Sequence, residues 1–460
     1  MPDAKAVPTD TPPPDPLTIL RSRNYVVLLV MAAVLGVPVT AAAFGFLALV
    51  AELQPMLYTD LPKALGFHDT PPWWPLPLLG IGGLLVALTV HYLPGKGGHE
   101  PAAGFKPQGA PTPIELPGIF LAALATLACG AVLGPEAPLI ALGGGLAAGA
   151  VRLAKRDAPA QVIAMMGAAG SFAAISSLLG SPLLGAFFLM EASGLGGPMM
   201  ALVLVPGLLA AGIGALIFIG LGSWTGLGTY SLALPDLPEA VTPTAAEFGW
   251  ALVIGLSAAV AGVGIRWLAV HLKTHVERRR VPATVVMGLV VGGLAIAYAE
   301  STGKPQSDVL YSGQSALGPF LAHSTAYSAG ALLLLVLCKG LAYCASLSSF
   351  RGGPVFPSMF VGAAGGILLS HLPGLSLMAG FATGVGAMSA AMLGLPLVSV
   401  LLATLLLGSQ GLTVMPLVIV SVVVSHVVSA RLAPHSSPKP EGNPDQHASS
   451  PPPSSGSTSP

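Results

Sequence analysis

Glu136 is the residue of this chain whose type and position most directly suggest chemistry. It lies between two prolines in the apolar stretch GPEAPLIALGGG, and the nearest charged residues are Glu115 and Arg152. An ionisable side chain at membrane depth indicates a functional site by default, because burying an unpaired charge in hydrocarbon is costly. A carboxylate that swings into and out of an anion site acts as a gate, and in its protonated form it carries a proton. A static helix cap is the alternative interpretation.

Three Gly/Pro turns, Gly97–Pro101, Gly134–Pro138 and Gly352–Pro357, are predicted to begin helices. The first amides of a helix lack internal partners, and the macrodipole places partial positive charge there. Two such ends that meet form an anion site from partial charges, which bind weakly enough for the ion to leave again. No Lys or Arg occurs between Arg351 and Arg431, so the sequence predicts no full-charge anion trap in that stretch.

Glu191 is the second isolated carboxylate and is the only charged residue between Asp157 and Asp236. Its carboxylate could bond to the backbone or reach the membrane surface, or it could form part of a proton path. An enzyme would need clustered His, Asp or Glu at catalytic or metal-binding spacing, which the apolar segments lack. We therefore predict neither an enzyme nor a bound cofactor or metal.

The composition identifies the elements that must position these residues. The 460 residues are 53% hydrophobic and 8% charged, with a mean hydropathy of +0.79. Soluble domains carry about 25% charged residues, so the chain is predicted to be an integral membrane protein. Its apolar runs are long and continuous, which favours a helical bundle over a β-barrel. The net charge of zero gives no basic surface for nucleic acid.

Several of the predicted helices are too short to cross a membrane. A crossing helix needs roughly 20 residues, and short pieces interrupted by Gly and Pro are typical of discontinuous helices that line a polar cavity. The apolar segments are predicted at about 24–53, 75–93, 114–130, 136–154, 161–179, 182–193, 199–222, 246–272, 284–299, 325–346, 354–371, 375–393, 396–408 and 414–431.

The sequence contains an internal duplication. GPEAPLIALGGGLAAG (134–149) is similar to GGPVFPSMFVGAAGG (352–366), and GSPLLGAFFLMEASG (180–194) is similar to GLPLVSVLLATLLLG (394–408). Two copies in the same order indicate a duplicated fold. The predicted organisation is an N-terminal segment 1–23, a first membrane repeat 24–222, a loop 223–245, a second membrane repeat 246–432 and a disordered Pro/Ser-rich tail 433–460.

Positive charges predict that the two repeats are inverted. Arg21 and Arg23 precede the long first segment of repeat one, whereas Lys273 and the run 278–280 follow its counterpart in repeat two. Because positive flanks favour the cytoplasmic side, these two segments should run in opposite directions. The site is then expected at the midplane between the repeats, with both termini cytoplasmic and the protein in the plasma membrane. The basic cluster at 152–156 is not explained by this arrangement.

The ordered motifs GGHEP, GPEAP, SLLGSPLLGAFFLMEAS and GGPVFP resemble those of the CLC family of chloride channels and chloride/proton exchangers. The resemblance covers about residues 20–432 and is to a divergent, prokaryote-like member without C-terminal CBS domains. It implies an all-α polytopic membrane protein, in which two inverted-topology repeats bring short, broken helices together at the midplane. It also implies chloride or another small anion as substrate, and a homodimer with one pore per subunit.

The resemblance also assigns site residues. Glu136 falls on the family's external gating glutamate, and Gly98 falls on a serine that holds the central anion, with Lys96 as the rival position in a shifted register. Pro354 falls on one of two anion-binding amides and has no N–H. The anion-binding backbone groups are therefore expected at Gly97, Gly98, Ala137, Val355 and Phe356.

Departures from the family pattern bear on mechanism. The family's inner proton glutamate falls on Ala192, and Glu191, one residue earlier, points about 100° away on a helix. No tyrosine follows Tyr343, so the family's central tyrosine is missing. Pro135 stands where the family has a basic residue before the gating glutamate. These losses favour channel-like or weakly proton-coupled anion transport gated by Glu136. A coupled antiporter and a non-transporting membrane protein are the alternatives.

Overall fold

The computed structural model describes Thr18 and residues 20–104, 109–194, 198–226, 232–234 and 237–433. All but the first residue of the predicted tail, and most of the predicted N-terminal segment, lie outside these residues. The described part is helical apart from turns and one isolated β-bridge. Its longer helices are α1 (Arg23–Pro55), α2 (Pro75–Tyr92), α3 (Leu116–Ala128), α4 (Glu136–Ala154), α5 (Ala160–Leu179), α6 (Pro182–Ser193), α7 (Pro198–Thr225), α8 (Ala245–Arg278), α9 (Arg280–Thr302), α10 (Ala329–Ser349), α11 (Val355–Ser370), α12 (Leu377–Leu393), α13 (Pro396–Leu406) and α14 (Gly411–Leu432).

Nine helical stretches in the described residues are long and apolar enough to cross a membrane. α3, α6, α11, α12 and α13 are apolar but have only 10–17 residues each. The structure thus confirms a multi-pass membrane protein that combines spanning helices with short ones. The short helices begin and end where the turn residues require. For example, the Ser181 hydroxyl caps α6 by accepting from the Leu184 amide at 3.2 Å, and α6 ends at Gly194 with a φ of 62°.

The packing repeats between the two halves of the chain. α1 packs along α7 and α4 along α5 in the first half, and the corresponding pairs in the second half are α8 with α14 and α11 with α12. Glycine permits the close approach of α4 to α5 and of α11 to α12. A Cβ at Gly143 would overlap the carbonyl oxygen of Gly170, and one at Gly362 would overlap the carbonyl oxygen of Gly384. Helices α4 and α11, which begin at the duplicated Pro turns, are therefore held by the same small-residue contact.

Candidate functional site

Two turns of identical pattern, Gly-Pro-X-X-Pro, meet at the centre of the candidate site. They are residues 134–138, which begin α4, and residues 353–357, which begin α11. The Gly134 amide donates to the Gly353 carbonyl at 2.7 Å, and the Gly353 amide donates to the Gly134 carbonyl at 2.6 Å. This antiparallel bridge fixes the first turn of one repeat against the equivalent turn of the other.

The pattern leaves only a few N–H groups at the two helix starts. Its four prolines have no N–H, and the bridge uses the two glycine amides. The amides of Glu136, Ala137, Val355 and Phe356 remain at the positive ends of the two helices. Three of these four were expected as anion-binding groups from the sequence; that they bind an anion stays a prediction.

The Glu136 carboxylate occupies the space between these helix starts. Its side chain is fully buried, and Oε1 accepts a hydrogen bond of 2.9 Å from the Phe356 amide. Oε2 is buried and has no hydrogen-bond partner among the described residues. A glutamate of the first repeat therefore lies on the helix start of the second repeat, and one of its two carboxylate oxygens makes no hydrogen bond to the described residues.

Two glycines form the wall of this carboxylate seat. A Cβ built on Gly353 would overlap Oε2 of Glu136 and lie 2.8 Å from its Cδ. A Cβ on Gly134 would overlap both carboxylate oxygens and lie 2.6 Å from Cδ. Both glycines have negative φ angles. They are required here because the carboxylate touches their Cα atoms, rather than because of an unusual backbone conformation.

One face of α10 supports both turns. The Tyr343 hydroxyl donates to the Pro354 carbonyl at 2.7 Å, and the Ser346 hydroxyl oxygen accepts from the Val132 amide at 3.0 Å. One turn before Tyr343, the fully buried Lys339 amine donates to the carbonyls of residues 308–311 at 2.8–3.4 Å. Sequence reasoning missed these roles, although a lysine within a predicted apolar segment was a signal that could have found this helix.

Arg351 was also missed as part of the site. It is 6% exposed, and its Nε donates to the Lys96 carbonyl at 3.2 Å. Its Nη2 lies 3.4 Å from Oε1 of Glu100, whose Oε2 accepts from Lys273 at 2.5 Å. Partial burial alone would raise the pKa of Glu100, but the Lys273 hydrogen bond and the Arg351 charge outweigh it, and the pKa lies below its usual value. This network ties the first Gly-rich turn to the residues just before Gly353.

The prediction that Gly97–Pro101 begins a helix is wrong for the described residues. The backbone runs through four consecutive positive φ angles, 78°, 50°, 71° and 85° at residues 95–98, which a right-handed helix cannot follow. Only one turn of 3₁₀-helix comes next, Pro101–Ala103. The Gly98 amide donates to the Gly95 carbonyl at 2.8 Å, so it is already engaged. Lys96 and Gly98 both lie in this turn.

The structure places Glu191 at another helix start. Its Oε1 accepts from the Leu397 amide at 2.9 Å, and its Oε2 accepts from the Val398 amide at 2.8 Å. These are early amides of α13, which begins at Pro396. The geometry agrees with the interpretation of Glu191 as a backbone-bonded carboxylate that joins the two repeats.

A cavity of about 440 Å³ lies beside the seat and reaches Ala137. It is bounded by α4 to α7, the turn at residues 95–99 and the segment before α3. The side chains that line it are mostly apolar, and neither Lys nor Arg is among its described lining residues. Its polar side chains are His99, Glu115, Ser171 and Ser193.

The sequence matches the family model described as "Voltage gated chloride channel" over residues 82–430. A curated relative, the "Putative ion-transport protein YfeO" of Escherichia coli O1:K1 / APEC, is 28% identical over 361 residues. That alignment covers 77% of this chain and 81% of the relative.

Three solved structures share the fold. A slow cyanobacterial Cl⁻/H⁺ antiporter has a TM-score of 0.72 at 18% identity, covering 88% of this chain and 94% of its own. A CLC-type fluoride/proton antiporter has a TM-score of 0.59 at 20% identity, covering 88% and 96%. A eukaryotic CLC transporter has a TM-score of 0.67 at 14% identity, covering 90% and 73%. These similarities confirm the CLC-like fold expected from the ordered motifs.

Proposed function

Because this chain belongs to the voltage-gated chloride channel family, we propose that it carries chloride or similar small anions across the membrane, gated by Glu136. The observation that carries the proposal is the contact between the buried Glu136 carboxylate and the Phe356 amide. A carboxylate held by backbone N–H groups at a helix start occupies a place that suits a small anion. The bridged turns bring such groups together from both repeats.

In the proposed mechanism, Glu136 and the transported anion compete for the same amides. With the ionised carboxylate on the Phe356 N–H, the seat is filled and the path is closed. Protonation removes the charge that attracts the carboxylate to the helix starts, so the side chain can leave and an anion can enter. The unpartnered Oε2 is consistent with such a movement, because the carboxylate is held through one of its two oxygens.

We propose that transport is channel-like or weakly proton-coupled. Coupled exchange needs a proton route to Glu136 from the other side, and a second carboxylate is one carrier that can supply it. Glu191 is bound through both oxygens to the start of α13, and Ala192 stands where the family has its inner proton glutamate. Coupled antiport is the second candidate, because Glu115 lines the cavity that reaches Ala137 and could take that role. Two of the solved structures with this fold are of antiporters.

The proposed setting is the plasma membrane, with both termini in the cytoplasm and two copies of the chain forming a homodimer. The basic residues at the beginning of α1 and at the end of α8 support this orientation. Homodimerisation is carried over from the family resemblance and can be checked by crosslinking in membranes.

Reconstitution into liposomes tests the proposed function. Vesicles loaded with chloride are diluted into low-chloride buffer, and chloride efflux and external pH are recorded together. We expect chloride efflux with little or no proton movement against its gradient. Sustained uphill proton uptake at a fixed ratio to chloride would favour the antiporter. Lack of flux in folded protein, for chloride and for every other anion tried, would favour a non-transporting protein.

A further inference from the structure

Few hydrogen-bond donors at the two helix starts are left for an anion. At the two helix starts, Pro135 and Pro354 occupy the N-cap positions, and Gly134 and Gly353 donate to each other. The amides left for an anion are the four already described, and Phe356 supplies the one bound to Glu136. Two prolines in symmetric positions therefore each remove an N–H that another residue would supply.

Two hydroxyl groups near the seat are also engaged. Tyr343 donates to the Pro354 carbonyl at 2.7 Å, and Ser358 donates to the Val355 carbonyl at 2.6 Å. Because each hydroxyl has one hydrogen, neither can donate to an anion without giving up a bond to the backbone of the same turn. While they keep these bonds, the two hydroxyls add no donor to the backbone amides of the seat.

The adjoining cavity follows the same pattern. Ser171 donates to the Ile140 carbonyl at 2.9 Å, and Ser193 donates to the Met190 carbonyl at 3.1 Å. His99 bonds to the Gly104 carbonyl at 2.8 Å, and burial lowers its pKa, which disfavours its charged form. The remaining polar side chain among the described lining residues is Glu115, whose carboxylate accepts from the Thr112 amide at 2.6 Å and has no hydrogen to donate to an anion. An ion in this cavity meets mostly apolar side chains.

From this donor arrangement, and on the basis of the proposed function, we propose that the path selects weakly hydrated anions, nitrate and thiocyanate, over chloride and excludes fluoride. Permeation requires the protein to replace an ion's hydration shell. The cost of removing that shell rises steeply as the ion becomes smaller and binds water more tightly. A path whose described residues offer few donors and include neither Lys nor Arg replaces little of this hydration, so the anions that lose water most easily pass best.

The test measures relative permeability in the Glu136→Ala variant, where no carboxylate competes for the seat. Efflux of thiocyanate, nitrate, bromide, chloride and fluoride is recorded from matched liposomes. We expect that order of rates, with nitrate above chloride by about threefold or more and fluoride below chloride by about tenfold, the ratio that 1.4 kcal/mol produces. Size-exclusion profiles establish that the variant is folded.

Restoring one donor provides the matched comparison. Pro354→Ala places an N–H at the N-cap of α11 while keeping a small side chain, and it should shift selectivity towards chloride by reducing the nitrate-to-chloride ratio about twofold or more. Pro319→Ala changes an exposed proline of the short helix Leu317–Ala322 and should leave the ratio unchanged.

The outcomes separate this inference from the proposed function. Anion flux with chloride equal to or faster than nitrate, or with fluoride equal to chloride, overturns the selectivity while leaving anion transport in place. An unchanged ratio in folded Pro354→Ala overturns the role of the missing N–H. Lack of flux for all five anions in folded Glu136→Ala overturns the proposed function itself, and the selectivity with it.

Discussion

Replacing Gly353 with alanine should open the path by removing Glu136 from its seat. The added Cβ would overlap Oε2 and lie 2.8 Å from Cδ and 3.0 Å from Cβ of Glu136. The overlapping atom is at the far end of a flexible side chain, and the φ of residue 353 is negative. Rotation of the glutamate therefore relieves the overlap with Oε2 and Cδ. The 3.0 Å contact with its Cβ, which rotation does not move, requires only a small backbone shift.

The expected size of the effect follows from the contact that is lost. Leaving the seat breaks the 2.9 Å bond from the Phe356 amide to Oε1. A hydrogen bond to a charged group contributes about 1.5–3 kcal/mol, and each 1.4 kcal/mol is a factor of ten in an equilibrium constant. The ratio of open to closed protein should thus rise about 10- to 100-fold at neutral pH. Chloride flux should rise with it until the open state dominates.

The assay is chloride efflux from liposomes, with two internal comparisons. Gly365→Ala adds a Cβ to the same helix where no atom lies within 4 Å, so flux should match that of the unmodified protein. Gly353→Ala in a Glu136→Ala background should add nothing, because no carboxylate remains to displace. The reasoning would be refuted if folded Gly353→Ala showed chloride flux at or below the unmodified level. It would also be refuted if the substitution increased flux equally with Glu136 present and in the Glu136→Ala background.

Three further substitutions test the supporting contacts by thermal unfolding in detergent and by chloride efflux. Glu191→Ala should destabilise the protein by about 1–2 kcal/mol through loss of the α13 cap, and an altered pH dependence of flux would contradict this purely structural role. Arg351→Met should lower the free energy of unfolding by about 2 kcal/mol. This is less than the loss of a fully buried ion pair would cause, because Glu100 is one-third exposed. An unchanged melting temperature would contradict this expectation. Lys339→Met should lower the free energy of unfolding by about 3 kcal/mol or more, because several buried carbonyls lose their donor. Equal stability of the variant would show that water replaces the amine.

The sequence predicts the fold well because its information there is local. Prolines and glycines mark where each helix begins and ends, and α4 and α6 have the predicted bounds 136–154 and 182–193. The ordered motifs identify the family even though each motif is degenerate. The Gly97–Pro101 turn was misinterpreted because Gly and Pro begin helices and also form left-handed turns. Only the run of positive φ angles distinguishes the two.

The site is less predictable because its contacts join residues far apart in the chain. The bridge between Gly134 and Gly353 links turns more than two hundred residues apart, and no periodicity indicates such a pairing. Arg351 was taken as the boundary of a stretch without positive charge, whereas its side chain folds back onto the Lys96 carbonyl. Glu191 likewise gave no signal of its partner, since its carboxylate binds amides of the other repeat.

The pH dependence of chloride efflux, compared between the unmodified protein and Glu136→Gln, tests the central claim most directly. In the unmodified protein, lower pH protonates Glu136, weakens its hold on the Phe356 amide and should increase flux. Glutamine is neutral at every pH and is similar in size, so the variant should show high flux that does not change with pH. A variant whose flux keeps the pH profile of the unmodified protein would contradict the assignment of Glu136 as the gate.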